Sequence, residues 1–172
     1  FTMTEMNFTG ASPLANDSDV NFFNPGGTDS FVFNGTAFDD NITISGGEAG
    51  GTDFRNTLNG IVVSRLEVFN VATTLARGLE GNDTFTTSTP AGPAAVSVRI
   101  EGGDSDQSTD TLNFTAPTGA TTAIDLGTST ITSTAPGGNT VSFTGIERVN
   151  ETSFGVASNL TVNGTSGDDT IN

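Results

Sequence analysis

Cysteine, histidine, lysine, tyrosine and tryptophan are all missing from this 172-residue sequence. Their joint absence removes thiol nucleophiles, imidazole bases, Schiff-base lysines and the usual zinc ligands, and with them most enzyme classes. Without cysteine no disulfide can form, and without lysine no Lys–Asn isopeptide staple can, so stability has to come from packing, assembly or bound ions. Positive charge is scarce: five Arg stand against 20 Asp and Glu, a formal charge of −15. A surface of that sign repels phosphate, so neither a nucleic-acid partner nor an anionic membrane surface is expected. Apolar residues are 33% of the chain and never run to the roughly 18 positions of a spanning helix, so no membrane insertion is expected either. A first residue Phe rather than Met predicts a processed or cropped chain.

What is there instead is 30 Thr, 22 Gly, 16 Asn, 15 Ser and 13 Asp, a vocabulary of strands and turns. Thirteen Phe, with Val, Ile and Leu at alternating positions, are enough to build a core, and the length suits one domain. No segment has the periodicity of an amphipathic helix. The composition predicts an all-β protein of an extracellular or cell-surface type.

One phrase recurs along the chain: a Gly-rich turn, then Asp or Asn, usually Thr, then a large apolar residue. It stands at Asp40-Asn41-Ile42, Asp83-Thr84-Phe85, Asp110-Thr111-Leu112, Asn139-Thr140-Val141 and Asp169-Thr170-Ile171, with a looser version at Asp53-Phe54. From Asp53 the steps are 30, 27, 29 and 30 residues. A period near 29 predicts a parallel β-solenoid (β-helix) over residues 31–172, each coil adding about 4.8 Å of height. Phe85, Leu112, Val141 and Ile171 would then stack in one column. The rival fold is an antiparallel β-sandwich, which short strands and frequent turns also suit. Residues 1–30 do not keep the period and read as an N-terminal extension or cap, whose apolar Phe1, Met3, Met6 and Phe8 could form a strand donated to a neighbour. Residues 160–172 read as a restarting repeat, because Asn34-Gly35-Thr36-Ala37-Phe38-Asp39-Asp40 returns as Asn163-Gly164-Thr165-Ser166-Gly167-Asp168-Asp169, 129 positions later. That echo fits either turns of one type or a larger unit beginning again.

If coils stack, the turn carboxylates of Asp83 and Asp110 approach closely enough to repel by roughly 1 kcal/mol in water and more when desolvated. A hard cation held by carboxylate and carbonyl oxygens would relieve this, and Ca²⁺ accepts irregular shells of 6–8 oxygens. The alternative is an Asx-turn, in which each Asp accepts a hydrogen bond from the backbone two residues on. Asp104, Asp106 and Asp110 form the densest acidic cluster, and Asp39, Asp40, Asp53, Asp83, Asp168 and Asp169 are further candidate metal ligands. These turn phrases resemble the nonapeptide GGxGxDxUx of the RTX, or haemolysin-type, calcium-binding repeats, where U is a large apolar residue. Gly78-Leu79-Glu80-Gly81-Asn82-Asp83-Thr84-Phe85 is the closest match; Gly164 to Ile171 is close, and the segments from Gly46 to Phe54 and from Gly102 to Leu112 carry insertions. The resemblance implies calcium held between successive turns, although the turns here are some 20 residues apart instead of head to tail.

Three classes of function remain. A non-enzymatic structural or adhesive protein, self-assembling head to tail into a filament or surface array, fits a solenoid whose unpaired end strands polymers can use. A homopolymer joined through the chain ends makes the chain its own partner, with a glycan or other surface ligand as a further one. The second class is a carbohydrate- or ice-binding module, although only Phe could stack on sugars and the Thr-x-Thr pairs are incomplete. The third is a β-helix polysaccharide-active enzyme using carboxylate pairs such as Asp104 with Asp106. No catalytic residue is assigned. Nine Asn-x-Ser/Thr sequons are present, several inside the turn phrase itself, which accounts for part of the excess.

Overall fold

The computed structural model describes residues 20–23, 29–46, 51–58, 60–88, 97–103, 109–116, 118–134, 140–153 and 159–168. Strands follow from alternation: Ser30–Asn34, Thr84–Ser88 and Thr111–Ala116 each bury every second residue, which places Phe31, Phe33, Phe85, Leu112 and Phe114 on the inner side and Val32 or Thr, Ser and Asn residues between them. Among the described residues fourteen strands form: β1 (Val20–Phe23), β2 (Ser30–Asn34), β3 (Asn41–Gly46), β4 (Thr52–Leu58), β5 (Ile61–Phe69), β6 (Thr73–Leu79), β7 (Thr84–Ser88), β8 (Ser97–Gly103), β9 (Thr111–Ala116), β10 (Thr121–Asp125), β11 (Thr130–Ser133), β12 (Val141–Thr144), β13 (Arg148–Ser153) and β14 (Asn159–Asn163).

They build two mixed, largely parallel sheets of seven strands each, in the orders β1-β5-β4-β3-β7-β9-β13 and β14-β10-β11-β12-β8-β6-β2. One end of the first is the parallel run β3-β7-β9-β13, and one end of the second the parallel run β2-β6-β8-β12. The chain crosses from the second sheet to the first at each of the steps β2 to β3, β6 to β7, β8 to β9 and β12 to β13. Two hairpin excursions interrupt this alternation. After β3 the chain turns back through β4 and β5, both antiparallel to their predecessor, and lengthens the first sheet at one end. Before β12 it runs through β10 and β11, which lengthen the second sheet at the other end. The two sheets are therefore staggered, each projecting three strands beyond the four levels they share.

A single apolar core lies between them. On the first sheet Ile42, Phe85, Leu112 and Val149 are register partners in one column. On the second, Val98, Val141, Ile131 and Ile124 continue from strand to strand. Phe54 of β4 reaches across, with its ring stacked on Phe33 at 5.3 Å and tilted against Phe31 at 5.5 Å.

Three sequence expectations change. Phe85 and Leu112 do stack, but Val141 lies on the opposite sheet beside Val98; Val149 takes the fourth place, and Ile171 lies outside the described residues. The spacing is not a uniform 29: Asp40, Asp83, Asp110 and Glu147 mark equivalent turns separated by 43, 27 and 37 residues. The shortest step carries no hairpin; the others contain β4–β5 or β10–β11, whose own turns mimic the repeat phrase. Finally, most strand pairs are parallel, so an antiparallel sandwich does not describe these sheets.

Phe54 is fully buried and bridges the sheets. Phe54→Ala is expected to cost about 3–5 kcal/mol in urea unfolding, because the cavity opens between two sheets that cannot both collapse into it.

Candidate functional site

Turns that cross between the sheets stack on one another, and their acidic residues fall into two rows. In the inner row the backbone N–H of Asp40 donates to Asp83 Oδ1, that of Asp83 to Asp110 Oδ1, and that of Asp110 to Glu147 Oε2, each at 2.8 Å. The outer row runs the opposite way: the N–H of Asn82 donates to Asp39 Oδ1 and that of Thr109 to Asn82 Oδ1, again at 2.8 Å. Across the two steps from Asp40 to Asp110, adjacent turns are thus joined by one bond in each direction, the between-strand counterpart of a helix capping box. Backbone bonds from Thr84 N to Asp40 O (2.9 Å) and from Thr111 N to Asp83 O (2.8 Å) hold the same turns in parallel register. Asp40 ends the row, with its carboxylate accepting Nδ2 of Asn56 at 2.9 Å and both the N–H and the hydroxyl of Thr36.

The three aspartates of the row are withdrawn from water, at 3%, 0% and 1% exposure for Asp40, Asp83 and Asp110, while Glu147 at its end is exposed. Glycine makes this packing feasible: a side-chain carbon on Gly78 would lie 2.0 Å from Asp83 Oδ2 and 2.4 Å from the Gly102 carbonyl oxygen, and one on Gly102 would lie 1.8 Å from the Gly145 carbonyl oxygen and 2.4 Å from Asp110 Oδ2. Each carboxylate therefore lies against the bare backbone of a glycine, with the carbonyl of the next turn beside it. Asp83 Oδ2 has no hydrogen-bond partner there.

Burial dominates the electrostatics. Desolvation pushes the Asp83 carboxyl up from 3.8 to about 7, against the Asp40 N–H bond that favours the anion, and the charges of Asp110, Asp40 and Asp39 push the same way as burial. Asp110 is also raised, by desolvation first and by Glu147 further, with the Asp83 N–H bond opposing. Asp125 provides the contrast: at the open turn after β10 it accepts the Thr128 N–H at 2.8 Å, and that bond holds its carboxyl below the ordinary value. The same kind of hydrogen bond wins where water remains and loses where it has been removed.

Of the candidate ligands, Asp39, Asp40, Asp83 and Asp110 come together in these rows. Asp53 does not; it lies on β4, with Oδ2 3.5 Å from Nε of Arg65. Asp168 is exposed in the turn after β14, and Asp104, Asp106 and Asp169 lie outside the described residues. Asp83 Oδ2 is a buried oxygen without a hydrogen-bond partner, and among the described residues no group of three or more His, Cys, Asp or Glu side chains is placed to hold a metal ion. The sequence offered an Asx-turn within each phrase as the alternative to a bound cation; in the structure the acceptor instead serves the neighbouring turn. The sequence did not mark Glu147, Asn82 or Asn56 as members of these rows. The available signal was an oxygen-bearing side chain directly before each turn Asp, at Asp39, Asn82 and Thr109.

No known protein family, no curated protein and no solved structure matches this chain.

Two outcomes follow from the row. Asp83 and Asp110 bind protons more tightly folded than unfolded, so the stability they contribute is fully present below about pH 4 and lost as pH rises, for Asp83 through about 7. For Asp83 the difference is roughly 4 kcal/mol. Thermal melting should therefore show a higher Tm at pH 5 than at pH 8. Asp83→Asn, which keeps an acceptor for the Asp40 N–H and adds a donor beside the Gly102 carbonyl, should raise Tm at pH 8 and flatten the pH dependence. Gly102→Ala should do the reverse, destabilising by about 2 kcal/mol or more in urea unfolding because backbone, not a flexible side chain, occupies the space.

Proposed function

We propose that this chain is a non-enzymatic structural module of the cell exterior, a parallel β-solenoid that serves as a length of rod in a filament or surface array. The observation that carries the reading is the reciprocal bonding of successive turns, which repeats from one level to the next and needs only a further level of the same kind to continue. Solenoids of this type gain stability from neighbour contacts along an axis, and length adds to it. Edge strands support assembly: β2 and β13 each have one neighbour in the sheet orders, and both lie in parallel runs. The polar, Thr-rich outer positions and a charge of −15 keep the sides of such a rod apart from one another while its ends pair.

Calcium belongs to the proposal as a stabiliser that takes the place of the proton. At pH 8 a cation beside Asp83 Oδ2 would compensate the charge that protonation compensates at pH 5. Millimolar Ca²⁺ is expected to raise Tm at pH 8 and to have little effect at pH 5. If Asp83→Asn retains the whole calcium response, the ion binds elsewhere. For assembly the measurement is light scattering with negative-stain microscopy, with and without calcium. Linear oligomers growing with concentration are expected; a strictly monomeric species at high concentration in both conditions contradicts the assembly reading.

A further inference from the structure

Among the described residues the first two strands and the last two are placed alike, and the space across from the first pair is filled while that across from the last is open. Shifted by 129 residues, β1 and β2 land on β13 and β14 without a gap: Val20 on Val149, Asn21 on Asn150, Phe31 on Leu160, Phe33 on Val162 and Asn34 on Asn163. The equivalence extends to topology. β1 and β13 lie in the first sheet and β2 and β14 in the second. β1 stands three strands beyond β3, the strand that the chain enters from β2; β14 stands three strands beyond β12, the strand from which the chain enters β13. Each pair is therefore staggered across the sheets by the same three levels, in the same direction.

What fills the stagger differs. Between β1 and the level of β2 the first sheet holds β5, β4 and β3, and Phe54 of β4 packs on Phe31 and Phe33, leaving them 6% and 2% exposed. Among the described residues the first sheet stops at β13. Facing β14 and β10 there is a groove of about 710 Å³, lined by the apolar Ile124, Leu126, Phe143, Val149, Leu160 and Val162 and, along the β13 edge, by Glu147, Arg148, Asn150 and Glu151. Leu160, the counterpart of Phe31, is 50% exposed. An apolar inner face of this kind, continuous with the core, is where a missing layer belongs.

We propose that this groove is the seat of the β3–β5 sheet, residues 41–69, of a second copy of this sequence following head to tail, with β13 and β14 of the first copy serving as β1 and β2 of the second. The proposal rests on the structural-module reading and names its joint. In it β13 pairs with β5 of the following copy as β1 does with Leu66 to Phe69, and Phe54 of that copy rests on Leu160 and Val162. Both sheets then run on without an edge, and each copy advances the stack by six strands per sheet, from β1 to β13 and from β2 to β14.

The test is a two-copy chain in which residues 44–172 are appended directly after Asn172, so that residues 170–172 lead on as 41–43 do. Hydrogen exchange is read at the backbone amides of Leu160 to Val162 of the first copy, alongside the single chain. Slowing by at least about 100-fold and one cooperative unfolding transition above the single-chain Tm are expected. Leu160→Asp with Val162→Asp should abolish both gains in the two-copy chain and leave the Tm of the single chain nearly unchanged. Unchanged exchange at β14, two independent transitions, or a two-copy chain that misfolds where the single chain folds each overturn the proposal. A single chain that forms filaments while the two-copy chain shows no protection would remove this joint and leave the structural reading standing.

Discussion

A backbone amide in one turn, accepted by the carboxylate of the next, is the contact on which this architecture depends. Parallel strands from different levels carry no local turn to fix their register, and a slip of one residue would send Phe85 and Leu112 to the solvent side. The Asp40, Asp83 and Asp110 amides remove that freedom, because each has one acceptor at one height. The outer row repeats the constraint in the opposite sense at Asp39 and Asn82. Register is thus specified at the turns, by polar groups, and then amplified by the apolar columns inside.

The arrangement has a cost that the rest of the molecule offsets. Acidic groups withdrawn from water are unfavourable as anions, and a row of them more so. The chain meets this with glycines that allow close backbone approach, with amides that favour the anion, and with an Asp83 carboxyl raised far enough to hold a proton near neutrality. Buried polar contacts of this kind contribute specificity more than net stability, and the stability comes from the Phe-rich core between the sheets. The hairpin β4–β5 is part of that balance: it delivers Asn56 to Asp40 at the end of the row and Phe54 to the core at the end of the sheet, closing both from one element.

Much of this was legible in the sequence. The all-β class followed from composition, and the recurrence of Asp before Thr and a large apolar residue found three of the four stacked turns, at Asp40, Asp83 and Asp110. The fourth was missed because Glu147 replaces Asp and sits in an Ile-Glu-Arg context that reads as a strand surface. The period was misread for a physical reason: strand-initiating turns within a hairpin obey the same backbone preferences as turns between levels, so Asp53 and Asn139 matched the phrase while the inserted hairpins changed the true spacing. Pairing partners were beyond reach, since alternation assigns an inward face but not the strand beside it. The stagger of the sheets could not be read from residues 34–40 and 163–169 alone; it required the positions of β1 and β13 as well.

The most direct test is an NMR pH titration that follows the backbone amide of Asp40, 43 residues from the carboxyl it contacts. The account expects the Asp40 amide resonance to move with an inflection near pH 7, in step with the side-chain carboxyl carbon of Asp83. Such a result would establish the register and the withdrawn carboxyl together. An Asp40 amide that responds only near pH 4, or an Asp83 carboxyl that titrates as an ordinary exposed aspartate, would contradict it.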